Sequence, residues 1–395
     1  MTRADKNSEG NDERRERTIT VGLVLFLFAL IVRFIATVIT TLFNINPEST
    51  RDAQAFASTA ETIATGLLQG QLLTPGPSST YDLWGAFISP FWLFPGPSIF
   101  YARLGNALLG ALAIYNVYVI ARYYHTQRAG VIATIPLIFY PSIVGVHTTV
   151  LREAIVLFCI TMALRLVVVP SKANRSWPIY GISVILVYVA YIHRPANQII
   201  YIVAFGIGFI VYIAKYRHLS KRVIGIITAL SPLFIILSWS FIQSGIEYLS
   251  RTRDVRGGGR TDYLLTVIPQ TLPELAAFSW IGAAYFLYAP FPWMIETIPD
   301  LIVSIEGLIT MGFTVAALWG VRTLAHKNKP ATAALVVGLL LAVVFYGVGT
   351  VNFGTGMRHR QMFIWIIFLF GGIGIAEHVQ FSGLPKLIES KRTVE

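Results

Sequence analysis

The sequence predicts an all-α polytopic membrane protein with about ten transmembrane helices. Of its 395 residues, 55% are hydrophobic and only 13% are charged, and the mean hydropathy is +0.63. Soluble domains carry roughly 25% charged residues. The apolar residues also form runs close to the roughly 20 residues that cross a bilayer as a helix. Because lipid offers backbone polar groups no partner, such runs must be helical.

The apolar runs place the helices along the chain. One further run, at 276–294, is either an eleventh span or a re-entrant segment, because Pro290 and Pro292 interrupt it. The first run is too long for a cleaved signal peptide and is expected to stay as a helix. The predicted spans are 18–43, 99–121, 129–147, 153–169, 177–192, 197–214, 223–243, 301–321, 331–350 and 361–377. The predicted domains are a disordered cytoplasmic tail at 1–17, the bundle at 18–377 and a cytoplasmic tail at 378–395.

The distribution of basic residues predicts the orientation in a plasma membrane. Arg14, Arg15 and Arg17 precede the first helix, so the N-terminus is expected in the cytoplasm. The other basic clusters then fall on alternate, cytoplasmic loops. Two long loops, 44–98 and 244–300, are predicted to be extracytoplasmic, and ordered long loops usually carry function.

Basic residues in the predicted outer loops are arginines, whereas every lysine falls on the predicted cytoplasmic side. Arginine binds phosphate with a planar, bidentate fork. A lipid head group with a phosphate or pyrophosphate is therefore the favoured ligand, and salt bridges to acids of the same loops are the alternative. The net charge of +11 is spread over many short loops, which argues against a nucleic-acid partner.

Asp52 is the candidate catalytic residue of the first outer loop. The residues after it have a spacing that predicts a helix with a small apolar face and Asp52 in its first turn. The residues of this face are Ala53, Phe56, Ala57, Ala60, Ile63 and Ala64. A carboxylate there can act as a general base toward an acceptor hydroxyl. The alternative is an acid that only stabilises the helix N-terminus.

The stretch from Arg51 to Gly66, which reads RDAQAFASTAETIATG, resembles the first outer loop of the GT-C glycosyltransferases. These include protein O-mannosyltransferases and aminoarabinose transferases, which use polyprenyl-phosphate-linked sugars. The runs at 119–133, 139–142 and 151–154 resemble their third and fourth helices. The resemblance covers roughly residues 17–170, and the order and spacing of the motifs carry it.

The resemblance implies a GT-C-like fold in which Asp52 is the catalytic base. The chain would move a sugar from a polyprenyl-phosphate donor to a glycan, lipid or protein acceptor on the extracytoplasmic face. An O-antigen-type polysaccharide polymerase and, behind it, a lipid-linked glycan flippase or transporter are the alternatives. Many family members have two adjacent acids at this point, whereas Arg51 precedes Asp52 here. This difference leaves open whether a divalent cation takes part.

Further candidate substrate-binding residues lie at predicted outer helix junctions and in two glycine-containing loops. The loop around Asn352 is predicted to hold a lipid phosphate, with interfacial anchoring as the alternative. The glycine-rich loop at 251–260 is either a segment that orders over substrate or a basic linker. The candidates are Arg51, Arg152, Glu153, His193, Arg194, Arg256, Arg260, Asn352, Arg358, His359 and Arg360.

Two residues inside apolar runs complete the prediction. Arg33 lies deep in the first helix, where a charge is unfavourable, so it is expected to be paired or functional. Cys159 is the only cysteine and is expected to be a small core residue. No cysteine and histidine cluster or nucleotide-binding motif occurs, so no metal ligand is predicted.

Overall fold

The computed structural model describes residues 3–43, 45, 50–71, 80–169, 177–216, 239–256 and 259–379. These residues form fifteen α-helices and no β-strand, with 3₁₀ turns at Pro195–Asn197 and Pro292–Met294. The helices are α1 (Arg3–Leu42), α2 (Thr50–Leu68), α3 (Thr80–Ile88), α4 (Pro90–Leu93), α5 (Ile99–Tyr124), α6 (Gln127–Phe139), α7 (Pro141–His147), α8 (Glu153–Val168), α9 (Trp177–His193), α10 (Gln198–Tyr216), α11 (Trp239–Arg256), α12 (Leu272–Tyr288), α13 (Ile298–Lys327), α14 (Lys329–Gly349) and α15 (Phe353–His378).

Six helical segments among these residues are long and apolar enough to span a bilayer, which confirms the all-α polytopic membrane fold. They are Thr20–Leu42, Ile99–Tyr124, Pro195–Tyr216, Ile298–Lys327, Lys329–Gly349 and Phe353–His378. Helices α6 and α7 form a seventh candidate that is bent by 69°. The structure thus supports six or seven spans, and the predicted count of about ten is not confirmed.

The predicted boundaries differ from the structure at several places. Helix α1 begins at Arg3, well inside the segment expected to be a tail. Helices α8 and α9 have 16 and 17 residues, which is just below and at the lower end of the roughly 17 to 25 residues of a span. Most of the predicted span at 223–243 lies outside the described residues, which do not include 217–238. The ambiguous run at 276–294 forms the 17-residue helix α12 and a 3₁₀ turn.

The chain divides into two compact units. Unit 1 comprises Met1–Pro195, Phe313–Gly320 and Ile367–Glu395, and unit 2 comprises Ala196–Gly312 and Val321–Ile366. In unit 1, α5 packs against α1, α6 and α8, and α2 packs against α3. In unit 2, α14 packs against α10 and α12.

Glycines allow close helix crossings in both units. In unit 1, a Cβ at Gly320 would overlap the carbonyl of Phe370. In unit 2, a Cβ at Gly282 would lie 2.6 Å from the carbonyl oxygen of Gly347. Small residues at crossings let helix backbones approach in a membrane, where van der Waals packing holds helices together.

Arg33 is fully buried in unit 1, and its guanidinium is hydrogen-bonded to backbone and side-chain acceptors. Residue 141 is a proline and has no N–H for the carbonyl of Leu137, four residues earlier. Arg33 Nη2 donates a 2.8 Å hydrogen bond to that carbonyl. Arg33 Nε also donates to His147 Nδ1 at 3.3 Å. The arginine therefore satisfies the backbone group that the α6–α7 bend leaves without a donor.

Gly110 on α5 lies directly against Arg33 and His147, and this close contact requires a residue without a side chain. A Cβ on Gly110 would overlap His147 Nδ1 and lie 3.1 Å from Arg33 Nε. We expect Gly110→Ala to lower the free energy of unfolding by about 1–3 kcal/mol, because the buried pair must move. Unfolding of the purified protein in mixed micelles checks this.

Gly181→Ala on α9 is the matched control, since a Cβ there meets nothing within 4 Å. It should leave stability unchanged or slightly raised. Equal stability of the Gly110→Ala and Gly181→Ala variants would contradict the role of Gly110.

Candidate active site

Asp52 occupies the first turn of α2, next to a face that is buried in unit 1. The predicted small apolar face is buried except at Ala57, which is partly exposed. Its buried members are Ala53, Phe56, Ala60, Ile63 and Ala64. The Asp52 carboxylate itself is partly exposed, and the Tyr81 hydroxyl donates a 2.7 Å hydrogen bond to its Oδ1. The helix N-terminus also favours a negative charge here. Asp52 is therefore an oriented carboxylate within reach of a ligand from solvent.

Phe56 connects Asp52 with an arginine of the candidate site. The ring of Tyr81 stacks on Phe56 with 4.9 Å between centroids. The guanidinium carbon of Arg152 lies 5.4 Å from the centroid of the same Phe56 ring. Cation–ring contacts of this length are attractive. One buried ring thus holds both the tyrosine that binds Asp52 and the cation of Arg152.

The segment that leads into α8 is held on two sides. Trp84 of α3 is fully buried, and its Nε1 donates a 2.7 Å hydrogen bond to the carbonyl of Val150. Asn106 of α5 donates through Nδ2 to the carbonyls of Thr149 and Leu151, the former at 2.7 Å. These bonds satisfy carbonyls that no helix pairs. They also fix the backbone immediately before Arg152.

Glu153 and His193 lie beside the same segment. Glu153 is 1% exposed, and its Oε1 lies 3.7 Å from Arg194 Nη1, so the buried carboxylate has a nearby cation. The ring of His193 makes edge contacts with Trp84 and Phe87, at 5.2 and 5.6 Å between centroids. Unit 1 therefore brings together five of the predicted residues, namely Asp52, Arg152, Glu153, His193 and Arg194.

Unit 2 contains a buried arginine that is bound to backbone. Arg253 is 1% exposed, and its guanidinium lies 4.7 Å from the ring of Phe278. Burial lowers the pKa of Arg253 below its ordinary value. Its nitrogens donate to the carbonyls of Val267 at 2.9 Å, Val348 at 2.8 Å, Thr350 at 3.3 Å and Leu264 at 2.5 Å. Arg253 therefore ties α11 to two irregular segments.

Arg260 pairs with acids of its own unit. It reaches Asp300 with hydrogen bonds of 2.7 and 3.1 Å and Glu296 with one of 3.4 Å. Asp300 also accepts from the backbone N–H of Thr297 at 2.9 Å and completes the capping box of α13. This contact is the salt-bridge alternative stated for the outer arginines.

Asn352 pairs with Asp262 in unit 2. Its Nδ2 donates to Asp262 Oδ1 at 3.0 Å, and its Oδ1 accepts from the backbone of Thr355 at 3.2 Å, which caps the start of α15. The neighbouring Tyr263 is buried, and this burial raises the pKa of its hydroxyl well above the usual range. Asn352 thus has a clear structural role.

Three predicted residues follow on α15. Arg360 donates to the carbonyls of Leu287 and Ala289, both at 3.1 Å, and lies 3.8 Å from the buried Glu306 carboxylate. These carbonyls belong to the C-terminal end of α12, where helix groups lack donors. Arg358 and His359 are buried too, and the His359 ring lies 4.7 Å from that of Tyr346.

Comparison with known proteins gave one family. Residues 59–189 match the model of the family described as dolichyl-phosphate-mannose-protein mannosyltransferase. That family is one of the GT-C glycosyltransferases. The resemblance drawn from the sequence is confirmed, over about a third of the chain. No curated protein and no solved structure gave a significant match.

The matched residues contain part of the site described above. Tyr81, Trp84, Arg152 and Glu153 lie within the matched residues, and Asp52 precedes them by seven positions. The match supports a glycosyltransferase that uses a polyprenyl-phosphate-linked sugar.

Two residues of this site were not predicted from the sequence, and two predicted residues have side chains that the structure does not describe. Tyr81 and Trp84 lie on the nine-residue α3, which is too short for its periodicity to show which face is buried. The side chains of Arg51 and Arg256 are not among the described ones. Among the residues that the structure describes, no three histidine, cysteine or acidic side chains form a group that could hold a metal ion.

The contacts of Arg253 predict that a lysine at this position would make the protein less stable. A lysine ammonium is a single point donor and cannot span four carbonyls as a planar guanidinium does. We expect Arg253→Lys to lower the free energy of unfolding by about 1–3 kcal/mol, measured in mixed micelles.

Arg251, two residues earlier and exposed, offers the control for this substitution. Arg251→Lys should leave stability within about 0.5 kcal/mol of wild type. A similar loss in both variants would mean that the four carbonyl contacts of Arg253 do not matter.

Proposed function

We propose that this membrane protein transfers a single sugar from a polyprenyl-phosphate donor to an acceptor hydroxyl on the extracytoplasmic face, with Asp52 as general base. The observation that carries the proposal is the placement of Asp52. It lies in the first turn of α2, bound by Tyr81 and one helical turn before Phe56, whose ring contacts Arg152, and it precedes the matched residues by seven positions. In the predicted orientation the basic loops are cytoplasmic, so the loop 44–98 that contains α2 is extracytoplasmic.

The reaction needs a base and a stabilised leaving group. The acceptor hydroxyl gives its proton to Asp52, and its oxygen forms a bond to C1 of the sugar. The bond between C1 and the phosphate oxygen breaks, and polyprenyl phosphate leaves with the electron pair. Asp52 returns the proton to solvent. A positioned general base contributes about 10²- to 10⁴-fold to such a rate.

Arg152 is the residue that we assign to the leaving phosphate. It is partly buried and lies over the ring of Phe56, on which the Asp52 partner Tyr81 also stacks, and an arginine fork matches the oxygens of a phosphate. Arg194 and Glu153 form the buried pair behind it, and His193 packs against Trp84. Arg358 and His359 stay predicted ligands of lipid phosphate in unit 2. Arg260 and Arg360 have carboxylate partners, which favours structural roles.

The matched family name supports a narrower substrate class. Its members are described as acting on proteins with dolichyl-phosphate mannose as donor. We propose a hexose donor of this kind and a hydroxyl-bearing protein or glycan as acceptor. No cofactor beyond the lipid-linked donor is proposed.

Asp52→Asn tests the base directly. The amide keeps the size of the side chain but cannot take a proton, so we expect sugar transfer to fall about 10²- to 10⁴-fold. Purified protein would be given polyprenyl-phosphate-linked mannose, glucose, N-acetylglucosamine or aminoarabinose with a detergent extract of cells that lack the protein. Release of polyprenyl phosphate and labelled product would be measured.

Glu61→Gln is the control, because Glu61 is an exposed acid on the same helix. It should keep full activity. Wild-type rates in Asp52→Asn, or no turnover of any donor by the wild type, would overturn the proposal. Surface glycans that keep single repeat units but lose chain length in deletion cells would favour a polysaccharide polymerase instead.

Arg152→Lys tests the leaving-group role. Lysine keeps the charge and loses the bidentate fork, so we expect kcat/KM for the donor to fall about tenfold or more. Arg322→Lys on the exposed surface of α13 is the control and should be neutral. An unchanged kcat/KM in Arg152→Lys would remove this arginine from the reaction.

A further inference from the structure

Tyr81 is held so that its hydroxyl meets one oxygen of Asp52. Its ring lies at 4.9 Å from the ring of Phe56 with an interplanar angle of 30°, and its hydroxyl donates to Asp52 Oδ1 at 2.7 Å. Phe56 is fully buried and follows Asp52 by one helical turn. The stack therefore fixes the phenol with respect to the same turn of helix that carries the carboxylate.

We infer that Tyr81 is a positioning residue for the catalytic base. This inference rests on the proposed role of Asp52. The bond to Oδ1 sets the rotation of the carboxylate about its Cβ–Cγ bond. A donor hydroxyl on a carboxylate also favours its ionised form, which is the form that acts as base.

The position of Tyr81 argues against a role in folding alone. Its side chain is 37% exposed, whereas its neighbour Trp84 is fully buried and makes the hydrogen bond that anchors α3. Removal of the Tyr81 hydroxyl leaves the ring contact with Phe56 and the Trp84 anchor in place. The hydroxyl can therefore be deleted with little effect on the fold.

Tyr81→Phe provides the test, with the full-length protein and the donor that the wild type uses in the screen above. We expect kcat to fall about five- to tenfold, because one charge-assisted hydrogen bond at a partly exposed site is lost. KM for the donor should change by less than about twofold. The acid limb of the pH–rate profile should move to higher pH by about half a unit, because the ionised carboxylate loses a donor.

Two comparison variants make the result decisive. Tyr248→Phe removes a hydroxyl from an exposed tyrosine on α11 and should match wild type in kcat and pH profile. Tyr81→Leu also removes the ring and should lose more activity than Tyr81→Phe. If Tyr81→Phe behaves as wild type while Tyr81→Leu is impaired, only the ring matters and the inference is wrong.

A loss of thermal stability in Tyr81→Phe with an unchanged pH profile would also overturn the inference, since it would show a structural role. The outcome for the proposed function is read separately from Asp52→Asn. An inactive Asp52→Asn together with an unaltered Tyr81→Phe refutes the positioning role alone. An active Asp52→Asn refutes the base itself, whatever Tyr81→Phe does.

Discussion

The carbonyl of Leu137 has no helical donor, because residue 141 is a proline, and the candidate site in unit 1 depends on how this group is satisfied. Lipid cannot supply the missing donor, and an unpaired carbonyl in hydrocarbon is costly. Arg33 supplies it and binds His147 as well. The 69° bend between α6 and α7 can therefore be tolerated inside the apolar bundle. The chain that leaves this bend leads directly to the turn before Arg152.

Aromatic side chains position the charged groups of the candidate site. Trp84 holds the turn through its indole N–H, and Phe56 receives the Arg152 guanidinium on its ring. Tyr81 stacks on the same Phe56 and reaches Asp52. A buried ring has few rotamers to lose, so it places a polar neighbour more precisely than a long flexible side chain does. The base and the phosphate-binding cation of the proposed reaction thus share one rigid support.

The arginines of this protein differ in their contacts, and these contacts distinguish structural arginines from the candidate phosphate ligand. Arg253 and Arg360 donate to main-chain carbonyls at helix ends and irregular segments, where backbone groups lack donors. Arg260 neutralises the acids at the start of α13. Arg152, in contrast, lies over the ring of Phe56, one helical turn after the partly exposed Asp52. The same fork geometry suits a carbonyl pair and a phosphate, so one side-chain type fits both the observed backbone contacts and the proposed phosphate contact.

The sequence by itself determined the membrane class, most helices and the helix that carries Asp52, because apolar runs and 3.6-residue periodicity are local properties. It also marked Arg33 as either paired or functional, since a lone charge in a span is unfavourable. Only the tertiary structure decided that 129–147 is bent, that Tyr81 binds Asp52, and which arginines bind backbone. Those contacts join residues far apart in the chain, such as Tyr81 with Asp52 and Arg33 with Leu137. They depend on which groups the packing leaves without a partner, and no local pattern encodes that.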